Sequence, residues 1–125
     1  MILDTNALSA LAAKDRRLIA EIRSAPLLCT TLINQGEYKY GLLGSRKREE
    51  LERWLEAFLE KAETLAPDMG TLEDYAAIRR ELKQTGTSIP ANDCWIAALA
   101  RQHGMPVVSS DTHFDHVRGL RRLHW

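Results

Sequence analysis

The sequence has few cysteines and no apolar stretch long enough to cross a membrane. Its 125 residues include only Cys29 and Cys94, which lie far apart and outside any Cys-x-x-Cys pair. This argues against a disulfide-bonded scaffold and a zinc ribbon, and it suits a reducing cytosol. The apolar runs fall far short of the roughly 20 residues that span a bilayer. No basic residue precedes the first run, so we expect no signal peptide, no membrane contact and a cytoplasmic location.

The sequence also lacks an excess of charge of either sign. Lys and Arg together number 17, as do Asp and Glu, so the formal net charge is zero. A nucleic acid would therefore have to be held by a local basic patch and by bound cations, because no global field attracts it. Apolar residues make up 45% of the chain, which is typical of a globular protein, and the length fits one domain over residues 1–125.

Strand-like and helix-like segments alternate along the chain. Short apolar runs predict strands at residues 1–3, 27–32, 64–66, 105–109 and 120–125. Apolar spacings of three and four predict helices at residues 6–12, 18–22, 33–41, 46–62, 72–82 and 92–103. In this interpretation Asn6 caps the first helix and Gly104 ends the last. The alternation predicts a single α/β domain with a mainly parallel central sheet flanked by helices.

Four acidic residues lie where predicted strands end or helices begin. Asp4 ends the first strand, Asp111 follows the fourth, Asp93 begins the helix before that strand, and Glu37 lies one turn into the helix after the second. Ligands of parallel sheets bind outside the carboxyl ends of the strands, so we expect the four to converge at one edge. Taken singly, three have ordinary interpretations: helix caps for Asp4 and Asp93 and an Asx turn for Asp111.

Glu37 has no such ordinary interpretation. It shares a helix face with Ile33 and Gly41, so neither neighbouring turn offers a cation. Four converging carboxylates repel one another and need protons or divalent cations; an all-oxygen ligand set favours Mg²⁺ or Mn²⁺. An alternative is a zinc site formed by Asp111, His113, Asp115 and His116. That site would leave Glu37 and Asp93 unexplained.

Four segments form a family-like pattern across essentially the whole chain. They are Ile-Leu-Asp-Thr-Asn at 2–6, Glu-Tyr-Lys-Tyr-Gly at 37–41, Ile-Pro-Ala-Asn-Asp-Cys-Trp-Ile-Ala-Ala at 89–98 and Ser-Asp-Thr-His-Phe at 110–114. In order and spacing they resemble the PIN-domain nucleases, and most closely the VapC toxins of bacterial and archaeal toxin–antitoxin pairs.

The resemblance implies a metal-dependent endoribonuclease that hydrolyses RNA phosphodiester bonds. It makes Asp4, Glu37, Asp93 and Asp111 both the metal ligands and the catalytic acids. Supporting positions would be Thr5, Asn6, Asn92 and Asp115. It further implies inhibition by a cognate VapB-like antitoxin, and homodimerisation.

Two basic clusters are candidates for holding the RNA: Arg46, Lys47 and Arg48 in one, and Arg118, Arg121 and Arg122 in the other. Each could equally be an ordinary solvated surface. The first two helices and the stripe of Trp54, Leu55 and Phe58 offer an apolar wall for an antitoxin, or part of the core.

Two other functions are compatible with some of the same residues. A haloacid-dehalogenase-like phosphatase would use Asp4 and the Ser-Asp-x-x-x-Asp pattern at 110–115, but Asn6 stands where that family has a second Asp. A non-catalytic PIN-like binding module is the other alternative. Retention of all four acids speaks against it.

Overall fold

A five-stranded sheet lies at the centre of the molecule; the computed structural model describes all of residues 1–125. The strands are β1 (Ile2–Leu3), β2 (Cys29–Thr31), β3 (Glu63–Leu65), β4 (Val107–Val108) and β5 (Arg122–Leu123). Their order is β3-β2-β1-β4-β5, and every neighbouring pair is parallel. The predicted α/β fold with a mainly parallel sheet is confirmed.

Six α-helices connect and flank the strands. They are α1 (Thr5–Ala12), α2 (Arg16–Ile22), α3 (Leu32–Leu42), α4 (Arg48–Leu59), α5 (Met69–Gln84) and α6 (Ala91–His103). A short 3-10 helix, Thr112–His116, lies between β4 and β5 in a segment that the sequence pattern predicted as a loop. No helix is long and apolar enough to cross a membrane.

The core consists of two apolar clusters, one on each face of the sheet. Successive strand residues point to opposite faces, so Ile2 and Val107 belong to the larger cluster while Leu3 and Val108 belong to the smaller one. The larger cluster packs against α5 and α6, and the smaller one against α1 to α4. Because the strands are buried on both faces, they read as continuous apolar runs.

The helix ends differ in how well the sequence predicted them. Gly104 does end α6, with a left-handed φ of 62°. The prediction for Asn6 is wrong: α1 begins at Thr5, so Asn6 lies inside the helix and Asp4 is the N-cap residue. Helix α4 is shorter at both ends than the predicted helix over residues 46–62.

All five strands run in the same direction, so their carboxyl ends meet at one edge of the sheet.

Candidate active site

Asp4 lies at this carboxyl edge, immediately after β1. Its backbone N donates to the carbonyl of Val108 at 3.1 Å, which continues the parallel ladder. Although Asp4 is the N-cap residue of α1, its carboxylate makes no capping bond. The carboxylate is 4% exposed and accepts three side-chain hydrogen bonds instead. The donors are Asn34 Nδ2 (2.8 Å), Ser109 Oγ (2.7 Å) and Asn6 Nδ2 (3.1 Å).

The electrostatic environment of Asp4 disfavours its charge. Burial raises the pKa of Asp4 to about 6, the hydrogen bond from Ser109 opposes that rise, and the charges of Asp93 and Glu37 add to it. No Lys or Arg forms an ion pair with any of the four acids. The acids therefore form a strained set that a cation or protons would relieve.

Glu37 joins three helices at the same edge. Its Oε2 accepts a short hydrogen bond from the hydroxyl of Thr5 at the start of α1. Its Oε1 accepts from Asn92 Nδ2 of α6 at 2.9 Å. The predicted position of Glu37 on the inward side of α3 agrees with these contacts.

Asp93 and Asp111 share a histidine. His113 Nδ1 lies 2.9 Å from Asp93 Oδ2 and 3.0 Å from Asp111 Oδ2, while the His113 backbone N donates to Asp111 Oδ1 at 2.9 Å. Burial raises the pKa of Asp93, which the hydrogen bond with His113 opposes. The same hydrogen bond, aided by the charge of Asp111, raises the pKa of His113. The Asx turn predicted for Asp111 is present, but it leaves Oδ2 directed at this histidine.

Ser109 connects Asp4 with the segment that carries Asp111. Its Oγ donates to Asp4 Oδ2 and accepts from the backbone N of Asp111 at 2.9 Å. One polar network thus contains Asp4 and Asp111, and coulombic effects connect Asp4 with Glu37 and Asp93. Ligand atoms of Asp93, Asp111 and His113 all lie within 4.8 Å of one another. This group contains an imidazole nitrogen and does not include Asp4 or Glu37; its two carboxylates are ligands that suit a hard divalent cation.

The predicted supporting residues behave in two ways. Thr5, Asn6 and Asn92 all donate to the acids directly. Asp115 does not: it binds the guanidinium of Arg122 with two contacts of 2.8 Å, and Arg122 Nη1 donates to the Ser109 carbonyl at 3.0 Å. Asp115 therefore acts through Arg122. The alternative zinc set is not supported, because its Asp115 is paired away and Asp93 takes its place beside His113.

Three residues at the site were missed or misjudged from the sequence: Asn34, Ser109 and His113. Asn34 is fully buried, caps α3 together with Thr31, and holds Asp4 with its amide. A Thr-x-x-Asn pattern after a strand was the available signal for that cap. His113 was considered only as a zinc ligand.

The first group of predicted RNA-binding residues shares its surface with carboxylates. Arg46, Lys47 and Arg48 are exposed at the start of α4, but Arg48 pairs with Glu52 at 2.9 Å, and two further glutamates share that surface.

Arg118 and Arg121 precede β5 and so lie toward the opposite edge of the parallel sheet. The Arg118 carbonyl accepts a hydrogen bond of 2.8 Å from Arg101 Nη2. Because Arg101 follows Asp93 by eight residues on α6, this contact is roughly 12 Å along the helix from Asp93. Arg122 does lie beside the site, where it contacts the Ser109 carbonyl, but its guanidinium forms an ion pair with Asp115.

Known proteins are similar to this chain in sequence and in fold. The family model of the PIN domain matches residues 1–120. Ribonuclease VapC5 of Mycobacterium tuberculosis is 29% identical over 121 residues, which cover 94% of this chain and 87% of the relative. Ribonuclease VapC2 of Haemophilus influenzae is 31% identical over 104 residues, covering 82% and 79%. The crystal structure of DNA-bound VapBC from Salmonella typhimurium matches with a TM-score of 0.87 at 27% identity, covering 99% of this chain and 96% of that one.

Proposed function

The chain belongs to the PIN-domain family, and from that premise we propose that it is an endoribonuclease toxin that depends on Mg²⁺ or Mn²⁺ and is inhibited by a cognate VapB-like antitoxin. The observation that carries the proposal is that the four acids meet at the carboxyl edge of the sheet. Ser109 links Asp4 with the Asp111 backbone, His113 bridges Asp111 and Asp93, and the charges of Glu37 and Asp93 act on Asp4. Two relatives over most of the chain are named ribonucleases, which supports the same activity. The cytoplasm is the expected location.

The four acids are the proposed metal ligands and catalytic residues. When bound, a divalent ion lowers the pKa of a water molecule and offsets the negative charge of the phosphodiester. Hydrogen bonds from Asn34, Asn6 and Ser109 hold the Asp4 carboxylate in one orientation, which reduces the reorganisation needed for ion binding.

Asp93 is the acid we expect to orient the attacking water. Burial raises its pKa, which makes it a better proton acceptor than an exposed carboxylate, and its Oδ2 already accepts a hydrogen bond from His113. His113 is 42% exposed and can turn away without disturbing the core. When protonated, its ring places a positive charge between Asp93 and Asp111.

The antitoxin is proposed to cover a groove between α1 and the α3–α4 connection. Apolar side chains line it together with polar ones: Ser9, Ala12, Ala13, Tyr38, Gly41, Leu42, Ser45, Lys47, Glu50 and Leu51. The Tyr38 hydroxyl is buried there without a hydrogen-bond partner. Trp54 and Phe58, predicted as part of this wall, stack at 5.4 Å and are only partly buried, whereas Leu55 is core.

Homodimerisation is the remaining part of the proposal. Three large apolar side chains stand exposed on the outer side of α3: Leu32 (52%), Tyr40 (79%) and Leu43 (60%). They recur along one stripe of the helix, which is typical of a surface covered by another chain. A second copy of this chain is the occupant that the family resemblance implies.

The two alternative functions have less support. A phosphatase of the haloacid-dehalogenase type is not supported, because the matched family over residues 1–120 is the PIN domain. A non-catalytic module would have no need of four acids kept together against their mutual repulsion.

Brief expression in a bacterial host, without antitoxin, tests the proposal. We expect growth to slow and new RNA 5′ ends to accumulate at a restricted set of sites. Asp4→Asn should abolish both effects, while co-expressed antitoxin should prevent both for the wild type. A folded Asp4→Asn protein that remains equally toxic would mean that the acids are not the active site.

A further inference from the structure

A cationic cavity lies on α5 and the loop after it, outside the acid cluster. The cavity measures about 480 Å³; Arg79, Arg80 and Lys83 of α5 line one side, and Thr87 and Ser88 of the following loop line the other. No acidic residue lines it. The apolar part of its lining consists of Leu82, Ile89 and the buried Cys94, which follows Asp93 in sequence. Its charge is therefore concentrated and positive.

The three cations of this α5 cavity are uncommitted to carboxylates. Of the 17 Lys and Arg residues, only Arg48, Arg101 and Arg122 form ion pairs, with Glu52, Glu81 and Asp115, so the α5 cavity is distinguished by three unpaired cations with no acidic residue in the lining. Arg79, Arg80 and Lys83 form none. In a chain with zero net charge, such a patch is where a polyanion gains affinity.

An aromatic ladder connects the α5 cavity with the acid edge. The guanidinium of Arg79 lies over the ring of Tyr75 at 5.7 Å, and its Nη1 donates to the Tyr75 hydroxyl at 2.8 Å. Tyr75 stacks on Trp95 with ring centroids 3.8 Å apart and an interplanar angle of 13°. Trp95 lies one helical turn after Asn92, whose amide binds Glu37. The cavity and the acids thus flank the same end of α6.

We propose that the α5 cavity binds backbone phosphates of the RNA substrate next to the scissile bond. Arg80 and Lys83 supply the charge, the hydroxyls of Thr87 and Ser88 are donors to phosphate oxygens, and Arg79 is held in place by Tyr75. The inference rests on the proposed ribonuclease function and adds to it the course of the substrate: from the acids, past Trp95, into the cavity. The Arg46–Arg48 cluster, with glutamates on the same surface, is the rival RNA-binding surface.

The test compares three double variants that each remove two positive charges. Arg80→Ala with Lys83→Ala removes two of the three positive charges of the cavity; Arg46→Ala with Lys47→Ala removes two from the rival surface. Arg16→Ala with Arg17→Ala, at two exposed positions of α2, is the control for net charge. Binding of a fluorescent 20-nucleotide single-stranded RNA is measured by anisotropy in EDTA, which prevents cleavage, over a series of salt concentrations.

We expect the Arg80/Lys83 variant to bind about 10-fold more weakly at 50 mM salt. Its slope of log affinity against log salt should be shallower by about 1.4, because each lost contact with single-stranded phosphate removes about 0.7. The control should change affinity less than about 2-fold. The charge-conserving exchange Arg80→Lys with Lys83→Arg should restore the wild-type slope.

Two results would overturn the inference: an unchanged affinity and slope in the Arg80/Lys83 variant, and a loss of affinity no greater than that of the control. If RNA binding is unchanged while the complex with the antitoxin is weakened, the cavity is assigned instead to an acidic segment of the partner protein. Cleavage of total RNA by the wild type with Mg²⁺ is measured in parallel. Its absence would refute the proposed function itself, independently of the cavity.

Discussion

Asp4 is the residue whose surroundings oppose its charge most strongly. Its pKa of about 6 in the folded chain exceeds the ordinary 3.8. The stability linked to its protonation is therefore fully present below about pH 4 and is lost as the pH rises through 6. At about 1.4 kcal/mol per pKa unit, the difference is about 3 kcal/mol. The raised pKa values of Asp93 and His113 act in the same direction.

The first prediction follows from that sign. In EDTA, protonation of Asp4 should raise the free energy of unfolding of the wild type by about 2 kcal/mol as the pH falls from 7.5 to 4.5, which is most of the full difference. Asp4→Asn should lose most of this gain, as measured by urea unfolding at each pH. Asp115→Asn should keep all of it, because Arg122 lowers the pKa of Asp115 and so gives that residue the opposite pH dependence. Equal profiles for wild type and Asp4→Asn would contradict the account.

The position of the acids at one edge of the sheet could be predicted from the sequence, because three of them stand beside strand or helix boundaries and Glu37 lies on the inward face of a helix. Their partners were not predictable in the same way. Asn34 lies 30 residues from Asp4 in sequence and Ser109 lies 105 residues from it, so only the strand order brings them together. The contacts of His113 with Asp93 and Asp111 depend on a short 3-10 helix, and no apolar periodicity in the sequence predicts that helix.

At the scale of the element, α3 is the helix whose start matters for the site. Its capping box joins Thr31 and Asn34. The side-chain oxygen of Asn34 takes part in the cap, and its Nδ2 donates a hydrogen bond to Asp4. Helix α5 begins with a similar box, Asp68 and Thr71, in which Thr71 is also fully buried but contacts Gln102 instead of an acid of the site. The two boxes form a natural pair for comparison.

The second prediction uses that pair. Asn34→Ala should lower the free energy of unfolding by about 1–3 kcal/mol, through the lost cap and the buried groups left unpaired. Thr71→Ala should destabilise the chain by a similar amount for the same reason. Only Asn34→Ala should reduce the RNA cleavage rate, measured well below both melting temperatures. A proportional loss of activity in both variants would make Asn34 a structural residue alone.

Helix existence was easier to predict than helix ends. The apolar stripe of α4 and the Gly104 stop of α6 are local signals, and both predicted the right element. At α1 the local signal misled, because Asn6 is a good capping residue by type but is used inside the helix to hold Asp4 and Ser109. Side chains recruited by the site depart from their usual local roles.

At the scale of the whole molecule, the alternation of segments predicted a parallel α/β sheet but not the order β3-β2-β1-β4-β5. That order places β1 in the middle and so brings Asp4 between the helices that carry Glu37 and Asp93. The separation of Arg118 and Arg121 from the acids follows from the parallel direction of the strands. Neither could be deduced from charge clusters in one dimension.

The third prediction concerns assembly. The wild type should sediment as a dimer, and Tyr40→Glu with Leu43→Glu should give a folded monomer, because charges replace exposed apolar side chains on α3. The control is Ser24→Glu, which adds a negative charge at an exposed turn position away from α3 and should leave the dimer intact. Analytical ultracentrifugation distinguishes the species. A dimer that persists in the α3 variant would place the interface elsewhere.

The most direct test of the central claim is a metal titration of purified wild type and Asp93→Asn, with RNA cleavage and thermal melting measured on the same samples. We expect no cleavage by the wild type in EDTA, and cleavage together with a raised melting temperature on adding Mg²⁺ or Mn²⁺. An ion concentration of 100 times the Kd should stabilise the folded chain by about 2.7 kcal/mol. Asp93→Asn should stay folded, gain less stability from the metal and cleave at least about 100-fold more slowly. Full cleavage in EDTA, or by a folded Asp93→Asn protein, would contradict the assignment of these acids to a metal-dependent ribonuclease site.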